Sequence, residues 1–158
     1  MMGNKTKLIS IGTLNVKCIL RYNPVEDNFD ANLNFVCLNK EQEVCSVVNY
    51  SQSTSAIKYL KSDNMAEEFL INLSKMGECS DIYFVVSILN GLKRNQNLAM
   101  ISSISLIIPE CNLELKINEL SDTDTCLVIG RLYNSNGEWK IQHMQEAYAA
   151  NFAYQIFL

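Results

Sequence analysis

The sequence predicts an all-β protein: a two-sheet antiparallel β-sandwich with a short C-terminal helix. Three observations carry this. Apolar and polar residues alternate at period two in several short segments, two predominantly apolar runs have strand length, and an Asn-Gly pair separates two apolar runs near the C-terminus. Alternation at period two sends one face of a segment into a core and the other into water. Strands at short regular spacing, with few helical periods between them, suit a sandwich or barrel.

Taken in order, residues 15–21 place Val16, Cys18 and Leu20 on one face, and residues 33–38 do the same with Leu33, Phe35 and Cys37. Ala56–Leu60 reads as a helical turn or part of a loop. Phe69, Ile71 and Leu73 alternate around Leu70, Asn72 and Ser74. The runs Ile82–Leu89 and Ile104–Ile108 are apolar but for Ser87 and Ser105, as in central strands covered on both faces, with Phe84, Val86 and Ile107 expected between the layers. Pro109 marks the end of its strand. Leu113, Leu115 and Ile117 alternate with Glu114 and Lys116. Leu127–Tyr133 and Trp139–Met144 flank Asn134-Ser135-Asn136-Gly137-Glu138, a hairpin signal because Asn and Gly both tolerate positive φ. Met144, Tyr148 and Phe152 recur at four-residue spacing through an Ala-rich stretch, which suits a short helix packed on the sandwich. No repeat, low-complexity tract or linker interrupts the chain, so residues 1–158 read as a single domain.

The bulk numbers narrow the function. Of 158 residues, 48% are apolar, so a core forms without help from disulfides or metal. A formal net charge of -4 argues against nucleic acid or an anionic membrane surface as a partner. No apolar run approaches the roughly 20 residues of a membrane span. Met1–Ile11 holds Lys5 and Lys7 before only a short apolar stretch, which does not resemble a secretory signal. The expected location is therefore cytoplasmic, with all six cysteines reduced and most of them buried. Cys18, Cys37, Cys45 and Cys126 sit in apolar, strand-like runs. There is no Cys-x-x-Cys pair and His143 is the only histidine, so zinc has little support.

Catalysis has equally little. His143 falls in a strand after the hairpin, where a core or surface histidine is the ordinary reading, and the six glycines form no phosphate loop. The chain is expected not to be an enzyme. The oxygen-rich segments are more informative. Glu26-Asp27-Asn28-Phe29-Asp30-Ala31-Asn32-Leu33-Asn34 puts oxygen side chains at alternate positions 28, 30, 32 and 34, and Ser62-Asp63-Asn64 is followed by Glu67-Glu68. Such oxygens suit a hard cation such as calcium. They equally suit Asn-rich solvent turns ahead of each strand.

Several motifs run in the order found in one known family. Asp81-Ile-Tyr-Phe-Val-Val-Ser-Ile, Arg94-Asn95-Gln96-Asn97-Leu98, Gly130-Arg-Leu-Tyr133, Asn136-Gly137-Glu138-Trp139-Lys140 and Tyr148-Ala149 resemble the TerD family's buried strand, R-x-Q-x-F turn, G-x-L-Y strand, N-G-x-W-K hairpin and G-x-G-Y stretch. In the N-terminal half, Asn28-Phe29-Asp30-Ala31-Asn32 is similar to the family's D-F-D-L-D segment, Ser62-Asp63-Asn64 to its G-D-N turn, and Glu67-Glu68 to its acidic D-D-E end. The resemblance implies a β-sandwich of the tellurium-resistance and stress-response type. It also implies calcium at Asn28, Asp30, Asn32, Asp63, Asn64, Glu67 and Glu68.

Departures from the pattern bear on the metal. Asparagines replace two of three aspartates in the first segment, and only Met65-Ala66 remains of a Gly/Asp-rich insertion. Calcium affinity follows ligand charge, so the implied site is degenerate, its calcium weak or lost. The resemblance then leaves two expectations. In one, the loop at Asn28–Asn32 and the turn at Ser62–Asn64 lie side by side, with Asp30 facing Asp63 and Glu67 or Glu68 closing the cluster. In the other, the chain is a metal-free structural or protein-interaction subunit on the same fold, with a protein partner.

Overall fold

The computed structural model describes residues 6–9, 12–23, 28–63 and 65–158. They form eleven strands: β1 (Thr6–Ile9), β2 (Thr13–Tyr22), β3 (Ala31–Leu38), β4 (Val44–Val48), β5 (Ile57–Asp63), β6 (Ala66–Asn72), β7 (Asp81–Ile88), β8 (Ile101–Ile108), β9 (Leu113–Ile117), β10 (Cys126–Ser135) and β11 (Glu138–Tyr148). One sheet has the order β1-β11-β10-β7-β3-β4 and the other β5-β6-β2-β8-β9, and every pairing between named strands is antiparallel. The sequence-predicted sandwich is the observed architecture.

The alternating segments fill the space between the sheets. Leu14, Val16, Cys18 and Leu20 of β2 meet Leu33, Phe35 and Cys37 of β3 in one core. Phe35 lies edge-on to Phe69 at 4.8 Å and to Phe84 at 5.1 Å, so one aromatic cluster joins β3, β6 and β7. The Asn136-Gly137 hairpin forms with φ of 55° and 83°, and the Gly137 N–H donates to Asn134 Oδ1 at 3.0 Å. Trp139 follows it, half-buried against the core.

Three expectations need correction. Ala56–Leu60 is not a helical turn: Ile57 onward is β5, an edge strand paired to β6. Ile107 is only partly buried, because Ile104, Leu106 and Ile108 take the inward parity of β8 and Ile107 pairs with Lys17 on the outer face. The C-terminal helix is shorter and later than its spacing suggested. Met144 and Tyr148 lie in β11, and the only helical element after it is a 3₁₀ turn at Ala153–Phe157. A four-residue repeat is also an even number, so it marks one face of a strand as well as one face of a helix.

That turn folds under the outer face of the six-stranded sheet. Ala150 and Ala153, with Ile156 and Phe157, pack on Val36, Leu38, Val85 and Val128 as a second, smaller core. Beside it Arg131 donates to buried Asp81, Nη2 to Oδ1 at 2.5 Å and Nε to Oδ1 at 2.7 Å, while Gln42 Nε2 donates to Asp81 Oδ2 at 3.0 Å. The guanidinium also lies 4.4 Å from the Tyr133 ring centre.

Cys18, Cys37 and Cys126 are buried thiols, as expected. Cys45 and Cys79, however, are joined in a disulfide, which corrects the expectation that all six are reduced. Their 34-residue separation gives no hint of contact, yet the fold brings the Cα atoms to 6.8 Å, within bridging range. No helix among the described residues is long and apolar enough to cross a membrane.

Candidate metal centre

The end of the sandwich where β2 finishes and β3 starts also holds the β5–β6 hairpin, since Leu20 N donates to Met65 O at 3.0 Å. The start of β3 and the β5–β6 hairpin therefore lie at the same end of the sandwich. β4 stops at Val48, opposite Phe35, so the first residues of β3 have no ladder partner on that side. Glu67 fills the gap from the other sheet: its Oε1 accepts the Leu33 N–H at 2.8 Å.

Strand parity decides which acid can do this. Glu67 pairs with Cys18 and shares the inward face with Phe69 and Ile71, and it is buried. Glu68 pairs with Lys17 on the outer face and lies 3.6 Å from the ammonium of Lys61. The two glutamates cannot both join one cluster. Asp63 is exposed near the tip of the β5–β6 hairpin, and Asn64 lies outside the described residues, as do Glu26 and Asp27. The expected three-carboxylate cluster does not form: no group of three or more Asp, Glu, His or Cys that could hold a metal ion occurs among the described residues.

What does come together is Asp30, Asn32 and Glu67. Asn32 Nδ2 donates to Asp30 Oδ1 at 2.5 Å, and the Asp30 carbonyl is fixed by Leu89 N at 2.9 Å, just past β7. Burial pushes the Glu67 carboxyl up to about 7; the Leu33 N–H opposes the rise and the Asp30 charge adds to it. Tyr22 and Tyr50 feel the same charges. Burial first, then Asp30 and Glu67, raise the Tyr22 phenol, whereas Asp30 is the leading cause at Tyr50. The Tyr22 ring stands edge-on to Phe29 at 4.9 Å and gives the site an apolar wall.

Arg94 and Gln96 belong to this end as well, a role that reading the chain did not assign them. Arg94 Nη1 donates to Asn28 O at 2.6 Å, and Gln96 Nε2 donates to Asn28 Oδ1 at 2.8 Å. The Arg-x-Gln turn thus clamps both oxygens of the residue that opens the acidic segment. The available signal was the basic-amide pair itself, since nothing else in its segment explained it.

Calcium takes six to eight oxygens. Asp30 and Glu67 supply two carboxylates, but one Glu67 oxygen is engaged by Leu33, one Asp30 oxygen by Asn32, and the Asn28 side-chain oxygen by Gln96. This donor set fits a site in which water completes most of the shell and does not fit a cage built by the protein. His143 is remote from this chemistry in register: it sits on β11 opposite Gly130.

The TerD domain profile matches residues 3–155. The chain is 30% identical over 99 residues to the tellurium resistance protein TerD of Serratia marcescens, covering 59% of this chain and 52% of that protein. It is 31% identical over 93 residues to general stress protein 16U of Bacillus subtilis (strain 168), covering 55% and 48%. It is 27% identical over 118 residues to chemical-damaging agent resistance protein B of Clostridium acetobutylicum, covering 66% and 84%. The chain thus spans about half the length of the first two relatives. Its fold matches that of a homologue of telluride resistance protein (TerD) from Streptomyces coelicolor A3(2), with a TM-score of 0.69 at 12% identity over 89% of this chain and 92% of that one. With strand order, motif order and a match across nearly the whole length in agreement, the chain belongs to the TerD domain family.

Proposed function

We propose that this chain is a non-enzymatic, cytoplasmic stress-response domain of the tellurium-resistance type whose Asp30–Glu67 site keeps a weak calcium-binding capacity. The observation that carries the reading is the position of Glu67. A buried carboxylate is held at a loop end within reach of the Asp30 charge, and a cation there relieves both the burial and the repulsion. Asn32 adds an amide oxygen but no charge. With so few charged ligands, the expected dissociation constant is roughly 10⁻⁴ M or weaker.

A second reading is favoured by the hydrogen bonds already described. Because Asn28, Asp30 and Glu67 each accept a bond from the protein itself, the acidic end also works as a metal-free brace between the sheets, in a subunit that binds a protein partner. Calorimetric titration of chelator-treated protein with calcium separates the two. At calcium ten times the dissociation constant, the folded state gains about 1.4 kcal/mol, a rise of a few degrees in Tm. Asp30→Ala should remove that rise. No heat and no change in Tm in millimolar calcium would replace the first reading with the second.

A further inference from the structure

At the other end of the sandwich, three connections enclose an open cleft of about 1060 Å³: residues 39–42 between β3 and β4, residues 73–80 ahead of β7, and the β10–β11 hairpin with Trp139. Cys79 lines this cleft, whereas Cys45 stands behind it on the edge strand β4. The bridge between them ties that strand to the connection before β7. We infer that Cys45 and Cys79 are a reversible thiol–disulfide site that fixes or frees one wall of this cleft.

Four observations support the assignment. The Cα separation of 6.8 Å admits the bond between β4 and the connection that carries Cys79. The reduced form is also provided for, because Cys45 Sγ lies 3.3 Å from the Cys37 carbonyl, which accepts a thiol hydrogen that a disulfide sulfur does not have. The segment that carries Cys79 is a short turn, closed by the Cys79 N–H on Met76 O at 3.2 Å. Met76 is buried and Ser80 bonds to Leu38 O at 2.9 Å, while Gly77, at φ 62°, and Glu78 are exposed between them. Finally, Cys18, Cys37 and Cys126 are buried, and burial raises each thiol, which withholds the reactive thiolate there.

The co-reactant is a small-molecule disulfide of the glutathione class. The Cys79 thiolate, which lines the cleft, attacks one sulfur of that disulfide, whose S–S bond breaks and releases one thiolate. The Cys45 thiolate then attacks Cys79 in the mixed disulfide, forming the internal bond and expelling the second thiolate. The two thiolates take up the two protons given up by the cysteines. Two electrons pass from the cysteine pair to the small disulfide, and reduction runs the same steps backwards.

The test equilibrates the folded chain with glutathione and glutathione disulfide mixtures, quenches in acid, alkylates and reads each cysteine by peptide mass spectrometry. Cys45 and Cys79 should lose alkylation together in one transition and regain it at the reducing end. In parallel, amide exchange at residues 77–79 should be at least tenfold faster in the reduced form and insensitive to the mixture in Cys79→Ser. In Cys45→Ser, glutathione should remain attached at Cys79. The inference is overturned if both thiols stay alkylatable at the oxidising end, if glutathione stays on the unaltered chain with no internal bond, if the bond resists the reducing end, or if exchange at 77–79 does not change. None of these outcomes depends on calcium.

Discussion

The Leu33 N–H and Glu67 Oε1 join the two sheets by a hydrogen bond of 2.8 Å, where β4 has stopped and the edge of β3 away from β7 has no strand partner. A side chain from one sheet here stands in for a missing strand of the other. It does so with a carboxyl that burial has pushed up to about 7.

That carboxyl makes stability depend on pH in chelated protein. The folded state holds the Glu67 proton up to about 7, whereas an unfolded glutamate loses it near its ordinary value of 4.5. Between those values the folded state binds more protons, so stability is greatest at the acid side of the window and falls as pH rises through it. The full loss is on the order of 3 kcal/mol, from about 1.4 kcal/mol per unit. Urea unfolding between pH 5 and 8 should show this slope, and Glu67→Gln should flatten it. An unaltered slope in the variant would place its origin at another group.

The Arg131–Asp81 pair should be costly to halve. Asp81 is buried and Arg131 partly exposed, so Arg131→Ala leaves a buried carboxylate with Gln42 as its side-chain donor among the described residues. A loss of about 3 kcal/mol in urea unfolding is expected, the lower end of the range for broken buried pairs because water reaches the guanidinium side. Arg131→Lys should recover only part of it, since an ammonium cannot present the two nitrogens that now meet Asp81.

Gly91 is required for space. A Cβ there would stand 2.8 Å from Thr125 Cγ2, 3.0 Å from Thr125 Cβ and 3.1 Å from Ile88 O. Thr125 cannot swing aside cheaply, because its hydroxyl accepts the Ala150 N–H at 2.8 Å. Gly91→Ala should cost about 1–3 kcal/mol by overpacking. Thr125→Ser in the same chain removes the nearest methyl and keeps the hydroxyl, so it should restore part of the loss. Full tolerance of Gly91→Ala in thermal unfolding would contradict the close approach.

Legibility in the sequence followed how regularly apolar and polar residues alternate. β9 was read to its residue limits because Leu113, Leu115 and Ile117 alternate without exception. β5 was missed because it is an edge strand whose Lys58, Leu60, Lys61, Ser62 and Asp63 all face solvent, leaving little apolar parity to read. The site was half legible. The resemblance could not choose between Glu67 and Glu68, yet the choice was present in the chain: Phe69 and Ile71 already set the inward parity, and Glu67 shares it. The Cys45–Cys79 contact carried no sequence signal, because it joins an edge strand to a connection through three-dimensional proximity alone.

β3 and β7 each run eight residues from the acidic end to the cleft, and they pair along their whole length. At about 3.3 Å per residue the two ends stand roughly 25 Å apart, well beyond the roughly 10 Å within which substitutions usually couple. Free-energy changes made at Glu67 and at Cys79 should therefore sum in the doubly altered chain. The acidic end and the cleft can then diverge separately, each free to be lost or retuned without cost to the other.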